Sequence, residues 1–228
     1  MNRRVFMAMP GAFAPFPKTG DAIRPTALKP GDTVGLITPA TYVSDPDALA
    51  TAERTLRYFG LEPKFGANVR KRSGYLGGTV EERIEDLHSM FRDPDVKGVF
   101  AIRGGYGSGQ LLDRIDYDLI RKNPKVFLGY SDITTLLIAI RQRAGLVTFH
   151  GPVVLSKFSD YTQNHLRKAL FAAEPVGVVT NPPESNKLRP VHTLRTIRPG
   201  MASGELIGGN LSLVAATMGT PYEIQTAG

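Results

Sequence analysis

Between Thr33 and Pro152 short apolar runs alternate with stretches whose apolar residues recur at helical spacing, and no other feature of the sequence narrows the fold so far. Thr33 to Pro39 (TVGLITP), Val96 to Ile102 (VKGVFAI), Val126 to Gly129 (VFLG) and Val147 to Phe149 have strand length. Asp45 and Pro46 open a helical pattern through Leu49, Leu56 and Tyr58 that Gly60 stops. Thr79 and Glu82 form a capping box ahead of Ile84, Leu87, Met90 and Phe91. A further helix is predicted with Leu111, Leu112, Ile115 and Leu119 facing inward, and another over Asp132 to Arg143 that buries Ile133, Leu136, Leu137 and Ile140. Strands separated by helices imply right-handed crossovers, hence an α/β fold with a parallel sheet and helices on both faces. Ligands of such sheets sit beyond the carboxyl ends of the strands.

Two features fall on that edge. Ser131 follows the strand VFLG at a strand-to-helix corner, the setting that exposes a nucleophilic hydroxyl beside the N–H groups of a helix start. A serine there is equally suited to capping the helix, and the corner lacks the closing glycine of the nucleophile elbow. The second feature is the loop Arg103 to Gly109 (RGGYGSG). Its glycine spacing fits neither the dinucleotide fingerprint nor a P-loop. Three readings stay open: a tight turn that needs positive φ, a phosphate-facing loop, and half of an oxyanion hole if Ser131 is close.

Composition excludes several classes. The 228 residues, 42% of them hydrophobic, suffice for one large or two small cores. No cysteine is present, which removes disulfides, thiolate nucleophiles and cysteine metal sites. His88, His150, His165 and His192 are too scattered for a local zinc motif, so no metal and no organic cofactor are expected. The net charge of +7 is spread among acidic residues rather than gathered in a run, so a nucleic-acid partner is not expected. No apolar run approaches the roughly 20 residues of a membrane span. Residues 1–27 read as a tail or a degenerate signal: Arg3 and Arg4 resemble a twin-arginine export signal, but Pro10, Pro15 and Pro17 break the apolar stretch, and Met7 or Met9 are rival starts. A cytoplasmic location is favoured over export.

Several motifs occur in one order: residues 28–39 (LKPGDTVGLITP), 103–107 (RGGYG), 117–120 (YDLI) ahead of Pro124 and Lys125, 129–134 (GYSDIT), 149–152 (FHGP) and 204–211 (GELIGGNL). In that order they resemble serine LD-carboxypeptidases, the muramoyl-tetrapeptide carboxypeptidases, with microcin C immunity peptidases as relatives. The resemblance extends from Leu28 to Gly228.

It implies an amidotransferase-like α/β nucleophile domain over 28–155, a helix and linker over 156–200, and the incomplete start of a smaller β-rich C-terminal domain over 201–228. It implies that Ser131 attacks the bond before a terminal D-alanine of a murein tetrapeptide in cell-wall recycling. The N–H of Asp132 and of Gly104 or Gly105 would hold the oxyanion, and Arg103, Tyr106 and His150 would line the substrate. A homodimer is compatible with it. The family's triad glutamate and histidine lie beyond a Gly-Thr-Pro-Tyr segment, here Gly219 to Tyr222, and have no counterpart in these 228 residues. The chain is therefore expected to be C-terminally truncated, inactive by itself, and folded in its α/β core with 201–228 loosely attached. A peptidyl-nucleotide hydrolase and a non-catalytic murein-peptide or phosphate-binding module are the alternatives.

Overall fold

The computed structural model describes residues 22–172, 175–183, 188 and 195–226. Arg3, Arg4, most of the stretch 1–27 and His192 lie outside them. Five strands, β1 (Thr33–Ile37), β2 (Glu62–Phe65), β3 (Val96–Ala101), β4 (Val126–Gly129) and β5 (Phe149–His150), form one parallel sheet in the order β2-β1-β3-β4-β5. Helices α1 (Ala48–Tyr58), α2 (Val80–Arg92), α3 (Tyr117–Lys122), α4 (Thr134–Ala144) and α5 (Asp160–Phe171) cover it, and α6 (Leu211–Thr217) follows.

Strand residues alternate between two cores, as a period of two requires. Val34, Leu36, Phe100, Ile102, Val126 and Leu128 pack on Leu49, Ala52 and Leu56 of α1 and on Leu166 and Leu170 of α5. From the opposite face Ile37, Val99, Ala101 and Phe127 meet Leu87, Met90 and Phe91 of α2 and Leu136, Leu137 and Ile140 of α4. Each fully buried Val, Leu, Ile, Phe or Met among them contributes about 1.5–3 kcal/mol, which makes this two-sided burial the main support of the sheet.

The capping box forms as expected: Thr79 accepts from the Glu82 N–H while the Glu82 side chain accepts from the Thr79 N–H. Other elements differ from the sequence reading. Helix α1 starts at Ala48 rather than at Pro46, because the Asp45 carboxylate accepts from the Asp47 N–H and holds a turn there. The helix expected through Leu111 to Leu119 is broken into a 3-10 turn, Ser108–Arg114, and α3, since Asp116 caps a new start by accepting from the Leu119 N–H at 2.8 Å. Strand β5 begins two residues later than expected, because Val147 donates instead to Ile23. Strand β2 went unread: Glu62-Pro-Lys-Phe65 is an edge strand with half its positions exposed, so it carries no apolar signature.

Between 195 and 226 the regular element is a helix, α6, where the resemblance implies the start of a β-rich domain. The segment makes polar contacts with α4 and with the 3-10 turn Ser108–Arg114. Arg141 makes a two-pronged ion pair with Glu205 at 2.6 and 2.8 Å, Asn210 N–H donates to Thr134 Oγ1 at 3.0 Å, and Tyr222 OH donates to Asp113 at 2.6 Å. These ties are polar, and Thr217 is the one buried residue of α6.

Candidate active site

Strand β4 ends where its chain must turn away from the sheet. A Cβ on Gly129 would lie 2.6 Å from Ile133 Cγ2, so only glycine lets the fully buried Ile133 fold back over the strand end. Tyr130 is extended, and Ser131 then takes φ 60°, the one non-glycine residue with positive φ among the described residues. That conformation costs an L-residue about 1–2 kcal/mol and persists only where the surroundings impose it. Ser131–Ile133 form a 3-10 turn that leads into α4, so the α-helix starts at Thr134, two residues later than the Asp132 the sequence suggests. The capping reading of Ser131 is not met: its hydroxyl makes no hydrogen bond among the described residues, and no side chain caps α4.

The corner is braced by the glycine loop. Ser108 N–H donates to Asp132 Oδ2 at 2.8 Å, and Ser108 Oγ donates to the Asp132 carbonyl at 2.6 Å while meeting Thr135 Oγ1 at 2.8 Å. All three residues are buried. From α2, the buried Arg83 reaches the same loop, donating to the Pro39 and Gly107 carbonyls at 2.9 Å each and to Gln110 at 2.8 Å. Burial lowers the pKa of Arg83, and the nearby Asp132 charge works in the opposite direction. Arg83, Ser108 and Thr135 were not singled out from the sequence. The available signal was an arginine four residues before Leu87, on the apolar face of α2.

This bracing bears on the readings of the glycine loop. Gly105 has φ +123°, and a Cβ there would lie 2.1 Å from Thr41 Oγ1. The Tyr106 N–H donates to that hydroxyl at 3.0 Å, the Ser108 N–H to Asp132 and the Gln110 N–H to Gly107, so these donors cannot cradle a phosphate. The N–H groups of Gly104, Gly105 and Asp132 have no hydrogen-bond partner among the described residues. Gly104 lies beside the corner: a Cβ built on it would lie 3.3 Å from Ser131 Cβ and 3.6 Å from Ser131 Oγ. The structure thus brings Ser131, Asp132 and Gly104 together, with Gly105 adjoining.

The remaining candidates are spread along the same edge. Arg103 is half-buried and donates to the Tyr42 carbonyl at 3.1 Å. Tyr106 is exposed, its ring 5.8 Å from that of Tyr75. His150 stands in register with Gly129 on the neighbouring strand. Desolvation lowers its pKa, opposed by the Gly208 backbone, and a Cβ on Gly209 would lie 3.0 Å from its Nδ1. No hydrogen bond joins His150 to Ser131. His88 accepts from the Asp116 N–H at 2.9 Å, and His165 stacks on Tyr161 with centroids 4.1 Å apart; neither is hydrogen-bonded to Ser131.

Two cavities flank this edge. One of about 950 Å³ is lined by His150, Phe149, His165 and Gly208. Another of about 560 Å³ lies between the glycine loop and α6, against Asp132 and Tyr222. Ser131 lines neither, while its neighbour Asp132 lines the second. Among the described residues no group of three or more His, Asp or Glu is placed to hold a metal, and no helix is long and apolar enough to cross a membrane.

The chain is similar to known proteins. A family model for the LD-carboxypeptidase N-terminal domain matches residues 34–151. A probable murein peptide carboxypeptidase of Bacillus subtilis is 46% identical over 205 residues, 90% of this chain and 62% of that protein. The chain thus spans less than two thirds of that relative's length. An MccF-like protein from Bacillus anthracis superposes with a TM-score of 0.79 at 33% identity, over 90% of this chain and 67% of the other. The microcin C7 self-immunity protein MccF in complex with adenosine monophosphate does so with a TM-score of 0.74 at 27% identity, over 89% and 68%.

Proposed function

The chain belongs to the LD-carboxypeptidase family, and on that premise we propose that Ser131 is the nucleophile of a serine peptidase that removes a terminal D-alanine from murein tetrapeptide. The observation that carries this reading is the left-handed conformation of Ser131, with its free hydroxyl beside Gly104. Ser131 Oγ attacks the carbonyl carbon of the scissile amide. The carbonyl oxygen becomes an oxyanion facing the N–H groups of Asp132 and of Gly104 or Gly105, donors that are already in place and need no reorganisation. The C–N bond then breaks as the proton given up by Ser131 passes to the D-alanine amine, and water hydrolyses the acyl ester, one of its protons returning to Ser131 Oγ.

The Ser131 proton needs an acceptor, and none is in hydrogen-bond contact with it among the described residues. These 228 residues alone are therefore proposed to keep at most the residual rate that oxyanion donors and binding supply, roughly 10³–10⁴ over water in the best-studied triad. The setting inferred from the family is cytoplasmic recycling of cell-wall peptides, with a homodimer allowed.

A second reading, hydrolysis of a peptidyl-nucleotide, is favoured by the likeness to MccF. Titration with each ligand class, followed by amide NMR, separates the two. Murein tetrapeptide should shift the signals of Gly104, Gly105, Ser131 and Asp132, with adenosine monophosphate leaving them in place. Shifts caused by the nucleotide alone would transfer the proposal to the second reading.

A further inference from the structure

We infer that Arg103 is the anchor for the free carboxylate at the end of the peptide, the group that separates a terminal from an internal peptide bond. This rests on the peptidase reading of Ser131 and names the feature of the substrate that its site selects. In a C-terminal residue the carboxylate follows the scissile carbonyl after one nitrogen and one Cα. Consecutive Cα atoms are about 3.8 Å apart, so its anchor must be rooted beside the nucleophile. Arg103 immediately precedes Gly104, where a Cβ would lie 3.3 Å from Ser131 Cβ.

The guanidinium is placed but not neutralised. One Nη1–H bond to the Tyr42 carbonyl, at 3.1 Å, fixes its position, and Tyr42 is itself held by its N–H donating to the Tyr75 carbonyl at 3.2 Å. No carboxylate of the described residues forms an ion pair with it within 4.0 Å. Its planar fork carries five donors, so several remain for a bidentate carboxylate. Nearby acids do not compete: 38–44 and 103–112 contain no Asp or Glu, and the Asp132 carboxylate is turned inward to the Ser108 N–H at 2.8 Å. Arg72, 4.2 Å over the Tyr42 ring, is a second cation on the same tyrosine. A half-buried cation that gains its partner only from the substrate favours a terminal carboxylate over an amide, which leaves it unpaired.

The test compares murein tetrapeptide with the same peptide capped by a C-terminal amide, binding being measured by calorimetry on the unaltered chain and on Arg103→Ala, Arg103→Gln and Arg103→Lys. The free carboxylate should bind the unaltered chain about tenfold to a hundredfold more tightly than the amide. Arg103→Ala should erase that difference and leave the affinity for the amide nearly unchanged, while Arg103→Lys, a point charge without the fork, keeps part of it. Arg103→Gln, which retains a donor for the Tyr42 carbonyl, replaces the alanine variant if that one does not fold. Equal weakening of both peptides would assign Arg103 to shaping the loop, and no effect on either would remove it from the site. Failure of the peptidase reading looks different: murein tetrapeptide would leave the Gly104 and Asp132 amides of the unaltered chain unshifted.

Discussion

The backbone N–H of Ser108 donates to the carboxylate of Asp132 at 2.8 Å, joining the glycine loop to the residue that follows the corner serine. With the bond from Ser108 Oγ to the Asp132 carbonyl, it sets two segments from different strands in one fixed relation. The oxyanion donors proposed here come from both segments, Gly104 and Gly105 from one and Asp132 from the other. Their spacing is therefore a property of this brace.

Asp132→Ala should leave the Ser108 N–H unpaired in a buried position, at a cost of about 1–3 kcal/mol. Urea denaturation checks it: the midpoint should fall with little change in slope. An unchanged midpoint would mean that the brace contributes nothing to the fold.

Gly105→Ala should destabilise by about 1–3 kcal/mol, because its Cβ would meet Thr41 Oγ1 at 2.1 Å and its φ of +123° is strained for any side chain. Gly109→Ala is the control: its nearest neighbour would be Thr135 Cγ2 at 4.0 Å, so a change within about 0.5 kcal/mol is expected. Thermal unfolding of the two variants side by side distinguishes them, and equal midpoints would contradict the account.

Burial lowers the pKa of His88 and of His150 below the ordinary 6.5. Between that value and the lower folded values the unfolded chain binds more protons than the folded one, so stability rises with pH across this window. The penalty is absent above 6.5 and grows as the solution is acidified through it, when His88 would also lose the bond it accepts from the Asp116 N–H. Replacing both histidines with glutamine should flatten this dependence in denaturation measured at a series of pH values. A double variant with the same slope would place its origin in the carboxylates.

The sheet was legible because strands β1, β3 and β4 are continuous apolar runs, which sheets covered on both faces require, and because Thr79 and Glu82 announce α2. Ser131 was legible for a local reason, a serine between a strand and a helix. Its backbone conformation was not, since φ 60° is imposed by Ile133 packing over Gly129 and by the bonds from Ser108, which lie in tertiary structure. Arg83 was hidden for the same reason: a charged residue on an apolar helix face has no local explanation until the Pro39 and Gly107 carbonyls arrive from distant loops. The break before α3 turns on Asp116, an acid that reads equally well as an exposed helix residue.

The central claim, that Ser131 attacks a carbonyl held by the N–H groups of Asp132 and Gly104 or Gly105, is tested most directly with the murein peptide lacking its terminal D-alanine and ending in a boronic acid in place of the scissile carbonyl. Boron changes from trigonal to tetrahedral when a serine oxygen adds to it, and ¹¹B NMR reads that change. The account expects a tetrahedral signal with this chain, and its loss in Ser131→Ala, which should still fold because the Ser131 hydroxyl makes no hydrogen bond among the described residues. A tetrahedral signal that persists in Ser131→Ala would contradict it and move the nucleophile to another residue.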